Sequence, residues 1–283
     1  MPQKFYFINN NFVPAEKAVV PVTDLAIQRG YGIFDFLRIE NNKPIFLKDH
    51  LNRFFNSATE MRLNVSFSSD ELKNIISTLI QKNDLPSSGI RLTLSGGCSE
   101  DGYQISDPNL IITQNPLKLQ DENVFNKGFK LCTFEHQRQL PQVKTIDYLM
   151  AIWLQPFIKS RAADDVLYFK NNIITECPRA NIFMVTKDEK IITPKANILH
   201  GITRSKVLQI ASNHFTAVEQ DVSLIDLQNA KEVFITSSTK KILPVTQVDD
   251  VVFNNRFPGP VTKKLAQIFD DLLLAQQEEA AAL

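Results

Sequence analysis

Residues 140–149 read LPQVKTIDYL, placing Lys144 after a proline-containing polar loop and before an apolar run. A lysine there is either one more solvated charge at a helix start, as most lysines are, or an amine that forms covalent bonds with carbonyl groups. Four other segments carry groups that bear on the second reading. In NILHGITRSKVLQIA, Gly201 breaks a strand-like stretch, and Thr203 reads as the N-cap of a helix with Val207, Leu208, Ile210 and Ala211 on its apolar face. The first turn of a helix leaves backbone amides free at its positive end, a ready site for phosphate, although a capping threonine by itself need only start a helix. In EVFITSSTKKILPV, a strand runs into Thr236, Ser237, Ser238 and Thr239, then Lys240 and Lys241. Hydroxyls and amides crowded at a strand end can hold a phosphate, and an ordinary polar loop has the same composition. Glu176, in IITECPRANIFMV, lies between two strand-like stretches; if buried, its carboxylate needs a cationic partner. Arg53 shares the polar face of a helix with Asp49, Ser57 and Glu60. It is either a surface partner of Asp49 at i,i+4 or a phosphate clamp.

Together these segments supply an amine, a carboxylate and three contacts for a phosphate. Pyridoxal 5'-phosphate needs that set: a lysine for its aldehyde, an acid for its pyridine nitrogen and a cup for its phosphate.

The elements that must position these groups are legible in part. KFYFINNNFV predicts a hairpin turning at asparagines, which tolerate left-handed backbone, and IFDFLRI and KPIFL predict two more short strands. Leu51, Phe54, Phe55, Ala58 and Met61 recur at helical spacing from Lys48, and a second helix is predicted over about 70–81. In GIRLTLSGG, Ile90, Leu92 and Leu94 share one face of a strand, with Arg91, Thr93 and Ser95 on the other. The polar stretch TQNPLKLQDENVFNKG predicts a boundary, giving domains 1–118 and 119–283. Further helices are expected near 146–160, 204–215 and 260–276, and strands near 165–169, 181–186 and 231–236. The tail QQEEAAAL is expected to fray.

Composition narrows the function classes. Lys+Arg and Asp+Glu balance at 31 each among 283 residues, so no net field favours nucleic acid or an anionic membrane. Three cysteines without CxxC spacing and four scattered histidines argue against a disulfide framework and against a metal site. With neither a leader pattern nor an apolar run of spanning length, the chain reads as a soluble, cytoplasmic protein.

The order and spacing of DHLNRF, VKTIDYL, TECPRANIF and ILHGITR resemble the class IV, fold type IV, pyridoxal-phosphate enzymes. These are the branched-chain aminotransferases, D-amino-acid aminotransferases and aminodeoxychorismate lyases. The resemblance spans most of the chain, from RGYGIFDFLRI to SSTKKILPVTQVD. It implies a mixed α/β (α+β) fold of two domains, a smaller N-terminal α/β domain and a larger β-rich C-terminal domain with helices, the cofactor lying between them, and a homodimer. Carried over by position, Lys144 matches the Schiff-base lysine, Tyr148 the tyrosine at the cofactor's phenolic oxygen, and Glu176 the acid facing the pyridine nitrogen. Arg53 matches the phosphate arginine, Ile202 and Thr203 the residues whose amides meet the phosphate, and Ser238 falls where a phosphate-binding threonine is usual. The segment departs from the family's pattern at His200, Asp147, Lys240 and Lys241, none of which removes a catalytic group.

An aminotransferase must hold a substrate α-carboxylate, for which an arginine fork is suited. Arg29, before GYG, and Arg91, with Thr93 and Ser95 on its strand, are the candidates, and Phe34 is a third substrate-binding position. The Y-x-R pattern of the branched-chain enzymes keeps its arginine at Arg91 but has Gly89 for the tyrosine. The arginine of the D-alanine enzymes aligns with Gly96. The expected reaction moves an amino group from a D-amino acid to 2-oxoglutarate; L-branched-chain donors, or lyase chemistry releasing pyruvate, are the alternatives.

Overall fold

The computed structural model describes residues 3–118 and 122–279. The chain divides into two compact units: the first runs to Lys118 and also takes in Val143–Asp147 and the chain from Gln276, and the second holds the stretch to Gln142 and Tyr148–Ala275. The sequence assigns everything after 118 to one domain; the structure differs at two places, each with a local cause. Residues 143–147 start no helix and pair with a strand of the first unit through a single bridge at Thr145: Phe34 N donates to Lys144 O at 2.9 Å and Ile146 N to Gly32 O at 3.1 Å. Gln276 and Gln277 do not fray. They bond to Phe46 N, Asn41, Lys43 and Glu40 of the first unit. The residues from 280 onward lie outside the described part.

In the first unit, the strands are β1 (Phe5–Ile8), β2 (Asn11–Pro14), β3 (Gly32–Glu40), β4 (Lys43–Pro44), β5 (Ser87–Ser95) and β6 (Leu110–Pro116). They form an antiparallel sheet in the order β2-β1-β6-β5-β3-β4. The predicted hairpin is β1–β2, with Asn9 at φ 51°. The KPIFL strand shortens to β4 because Phe46 turns left-handed (φ 53°) and opens α2 (Leu47–Glu60). α3 (Ser69–Asn83) starts at a reciprocal cap between Ser68 and Glu71. Strand alternation sends Ile33, Leu37, Ile39, Ile90, Leu92 and Leu94 into one core with Leu51 and Phe54 of α2 and Leu72, Ile76 and Leu79 of α3. The other face presents Phe34, Phe36, Arg91 and Thr93. A short helix, α1 (Leu25–Arg29), precedes β3.

In the second unit, the chain passes through α4 (Glu122–Lys127), β7 (Phe129–Glu135), α5 (Leu149–Trp153), α6 (Gln155–Ser160), β8 (Asp165–Lys170), β9 (Ile173–Ile174), β10 (Glu176–Cys177), β11 (Ala180–Val185) and β12 (Ile191–Pro194). It continues through α7 (Ile202–Ser212), β13 (Ala217–Gln220), α8 (Leu224–Gln228), β14 (Glu232–Ser237), β15 (Lys241–Val248) and β16 (Val251–Val252) to α9 (Pro260–Glu279). The sheet runs β13-β12-β11-β14-β15-β7-β8-β9, with β10 on β11 and β16 on β15. The helix predicted over 146–160 is two short ones, since Pro156 at the start of α6 cannot donate into a continuing ladder. Ile182, Met184, Val233, Ile235, Leu243 and Val245 build the core on one side of the sheet. Phe183 and Phe234 stack on the other at 4.9 Å.

Candidate active site

In the first unit, the reactive candidate is held like a strand residue. Thr145 bridges Ile33, which fixes the alternation of 143–147 against β3. Val143 is buried in the core. Lys144 lies half-buried, its Nζ 4.5 Å above the centre of the Phe34 ring. The Arg91 guanidinium stacks on the same ring at 3.7 Å, with Nε donating to Thr93 Oγ1 at 3.3 Å. Three residues singled out in the sequence, Lys144, Phe34 and Arg91, therefore meet at one ring. Arg29 is exposed at the end of α1, donates to Gln28 O at 3.0 Å and lies beside Gly102.

Arg53 has a partner that its helix spacing does not reveal. Its Nε and Nη2 fork onto the Asp35 carboxylate at 2.8 Å each. Asp35 is fully buried on β3 and also meets His50 Nδ1 at 2.7 Å. Burial alone would raise its carboxyl; Arg53 and His50 outweigh burial and hold it below the ordinary range. Burial pushes His50 down from its ordinary value of 6.5, with Asp35 opposing. A neutral His50 then donates from Nδ1. The pair leaves Arg53 Nη1 over for an anion.

In the second unit, Glu176 is buried in β10 at 4% exposure. Its Oε1 accepts from Arg138 Nε at 2.8 Å, and its Oε2 from Leu199 N at 2.9 Å and Asn181 Nδ2 at 3.4 Å. The cation required by a buried carboxylate is thus Arg138. The helix start is also corrected: Gly201, not Thr203, is the N-cap of α7, with no side-chain cap, and Ile202 and Thr203 are its first residues. That leaves the first-turn amides more open than a threonine cap would. A side chain at Gly201 would collide with Asn181 Oδ1, so the backbone approaches closely there. Asn181 pairs across the sheet with Thr236. The Thr236 hydroxyl is buried without a partner. Ser238 follows on the loop where Ser237 Oγ accepts from Lys240 N, and Tyr148 is the N-cap residue of α5. Burial lowers the Lys240 ammonium, opposed by Asp165, while Lys241 pairs with Asp270 at 2.8 Å.

An orphaned buried hydroxyl and an uncapped helix start suit a phosphate group, and a fork with a free nitrogen does so in the first unit. The residues fit pyridoxal phosphate. Sequence reasoning missed Asp35, His50, Arg138 and Asn181. His50 and Arg53 at i,i+3 were a signal; nothing local marked the others.

A family model described as amino-transferase class IV matches residues 32–248. The chain is 29% identical over 271 residues, covering 93% of each protein, to a D-alanine aminotransferase of Listeria monocytogenes serotype 4b. Its fold is similar to a branched-chain amino acid aminotransferase of Escherichia coli (TM-score 0.85, 26% identity, 96% of this chain and 94% of that one). It is likewise similar to a putative 4-amino-4-deoxychorismate lyase of Legionella pneumophila (TM-score 0.83, 27% identity, 91% and 96%). Because that family model spans most of the chain, the chain belongs to the class IV aminotransferases, enzymes that use pyridoxal 5'-phosphate.

Proposed function

We propose that this enzyme moves the amino group of a D-amino acid to 2-oxoglutarate. The observation that carries the reading is the Phe34 ring, with Arg91 at 3.7 Å and the Lys144 amine at 4.5 Å. One rigid platform presents a carboxylate binder and a nucleophilic base together. Arg91 takes the substrate α-carboxylate with its planar guanidinium fork, and Arg29 is the second cation proposed for it. Lys144 Nζ takes the proton from the substrate Cα and returns it when the second substrate is converted. Arg53, Ile202, Thr203 and Ser238 hold the cofactor phosphate, Tyr148 its phenolic oxygen, and Glu176 its pyridine nitrogen. When bound, the cofactor supplies the electron sink that makes the Cα proton acidic.

Two observations favour D-donors over L-branched-chain ones. The Listeria relative, matched over nearly the whole chain, is a D-alanine aminotransferase. At Gly89, where the branched-chain pattern has tyrosine, the Phe36 ring already occupies the space of a side chain. We also propose that the protein works in the cytoplasm as a homodimer, which would cover Trp153 and Ile152, exposed at 65% and 69% on α5.

The test is a half-reaction. Cofactor-loaded protein is mixed separately with D-glutamate, D-alanine, L-leucine and L-glutamate, and the visible cofactor band is followed. Loss of the band with the D-donors alone is expected. Loss with L-leucine alone would assign the branched-chain reaction, and no change with any of the four would favour the lyase.

A further inference from the structure

Glu176 is more heavily engaged than an acid awaiting a ring nitrogen needs to be. Arg138 reaches Oε1 with both Nε and Nη2 at 2.8 Å, and the same Nη2 donates to Pro141 O. The Leu199 amide and the Asn181 side chain hold Oε2. All four of these contacts are donated to the carboxyl, two of them by a guanidinium, which favours the ionised form. A buried carboxylate without a cation would take up a proton instead and present an O–H to its neighbour. Arg138 itself is only 19% exposed. Its fork holds two things at once: the charge state of Glu176 and the loop that ends two residues before Lys144.

We propose that Arg138 is a positioning residue for the cofactor's ring nitrogen: it keeps Glu176 an oriented anion, and the site thereby prefers a ring that carries a protonated nitrogen. The proposal rests on the reading of Glu176 given above. No bond to carbon is made or broken in this role; a proton stays on the ring nitrogen because the carboxylate opposite is already compensated and does not take it.

The experiment compares two cofactors that share the aldehyde and the phosphate and differ only at the ring nitrogen. Full-length protein stripped of cofactor is titrated with pyridoxal 5'-phosphate and with its 1-deaza analogue, in which C–H replaces the nitrogen, and the ratio of dissociation constants is read. Lys144 and the phosphate contacts cancel in that ratio. A charge-assisted hydrogen bond to the nitrogen makes the wild-type ratio about ten- to a hundredfold in favour of the natural cofactor. In Arg138→Met the ratio should fall to within about threefold of unity, and Arg138→Lys, which keeps the charge without the fork, should fall between. If Arg138→Met weakens both cofactors equally and leaves the ratio intact, Arg138 is only structural and the proposal fails while the Glu176 reading stands. If Glu176→Gln leaves the ratio intact, that reading fails first. Should Arg138→Met not fold, Arg138→Lys decides alone, and a wild-type ratio there overturns the proposal.

Discussion

At the scale of single residues, this chemistry depends on charges held by other charges. Asp35 is fully buried, and its two oxygens take the Arg53 fork, the His50 ring and the Phe36 amide. Asp35→Asn leaves Arg53 without its counter-charge, and breaking such a pair costs about 3–5 kcal/mol. Urea unfolding should show a loss of that size, and binding of pyridoxal phosphate should weaken more than binding of unphosphorylated pyridoxal. Equal weakening would mean that Arg53 does not serve the phosphate. Arg91, stacked on Phe34 at 3.7 Å, makes a different case as the proposed carboxylate binder. Arg91→Ala should raise KM for amino donors about ten- to a hundredfold, the range of a lost charge-assisted contact, with a smaller change in kcat. An unchanged KM would remove Arg91 from the site.

Elements place these groups by how they begin and how they face. α7 starts at a glycine with no side-chain cap, and that glycine lies against Asn181, which also contacts Glu176. Gly201 has φ −65°, so an alanine there is free of backbone strain and its effect is purely steric. Gly201→Ala should cost about 1–3 kcal/mol by overpacking and weaken cofactor binding by moving Asn181; a thermal melt and a cofactor titration read both. The junction of α2 and β3 carries a pH dependence. His50 has a folded value below its ordinary 6.5, so the unfolded chain binds more protons under that pH. Its contribution to stability is present above about 6.5 and is lost as pH falls below it. Tm should therefore fall between pH 6.5 and 5, and His50→Asn should flatten that limb.

Over the whole molecule, the notable feature is what remains uncovered. Trp153 is the chain's single tryptophan and is exposed at 65%, with Ile152 next to it at 69%. Adjacent large apolar groups left in water commonly mark an interaction surface. If two copies associate through α5, Trp153 emission should shift to shorter wavelength as protein concentration rises, in step with mass by sedimentation. Ile152→Asp should keep the emission at long wavelength and the protein monomeric. A dimer that forms with no change in emission would place the interface elsewhere.

Local pattern was enough for most elements and for singling out the motif residues as candidates. The period of α2, the alternation of β5 and the hairpin of β1–β2 are set by side chains that face one core, a constraint written residue by residue. Lys144, Glu176, Arg53 and the ITR segment stood out for the same reason, since their neighbours in sequence are part of the motif. Tertiary structure decided the partners. Asp35 lies 18 residues before Arg53, Arg138 lies 38 before Glu176, and Asn181 meets Gly201 only through the pairing of distant segments. It also decided that Lys144 sits in a non-helical segment of the first unit, where its carbonyl and the Ile146 amide bond to β3. Charge pairing and strand pairing reward closeness in space, and helical and alternating patterns reward closeness in sequence; only the second kind can be read from a chain alone.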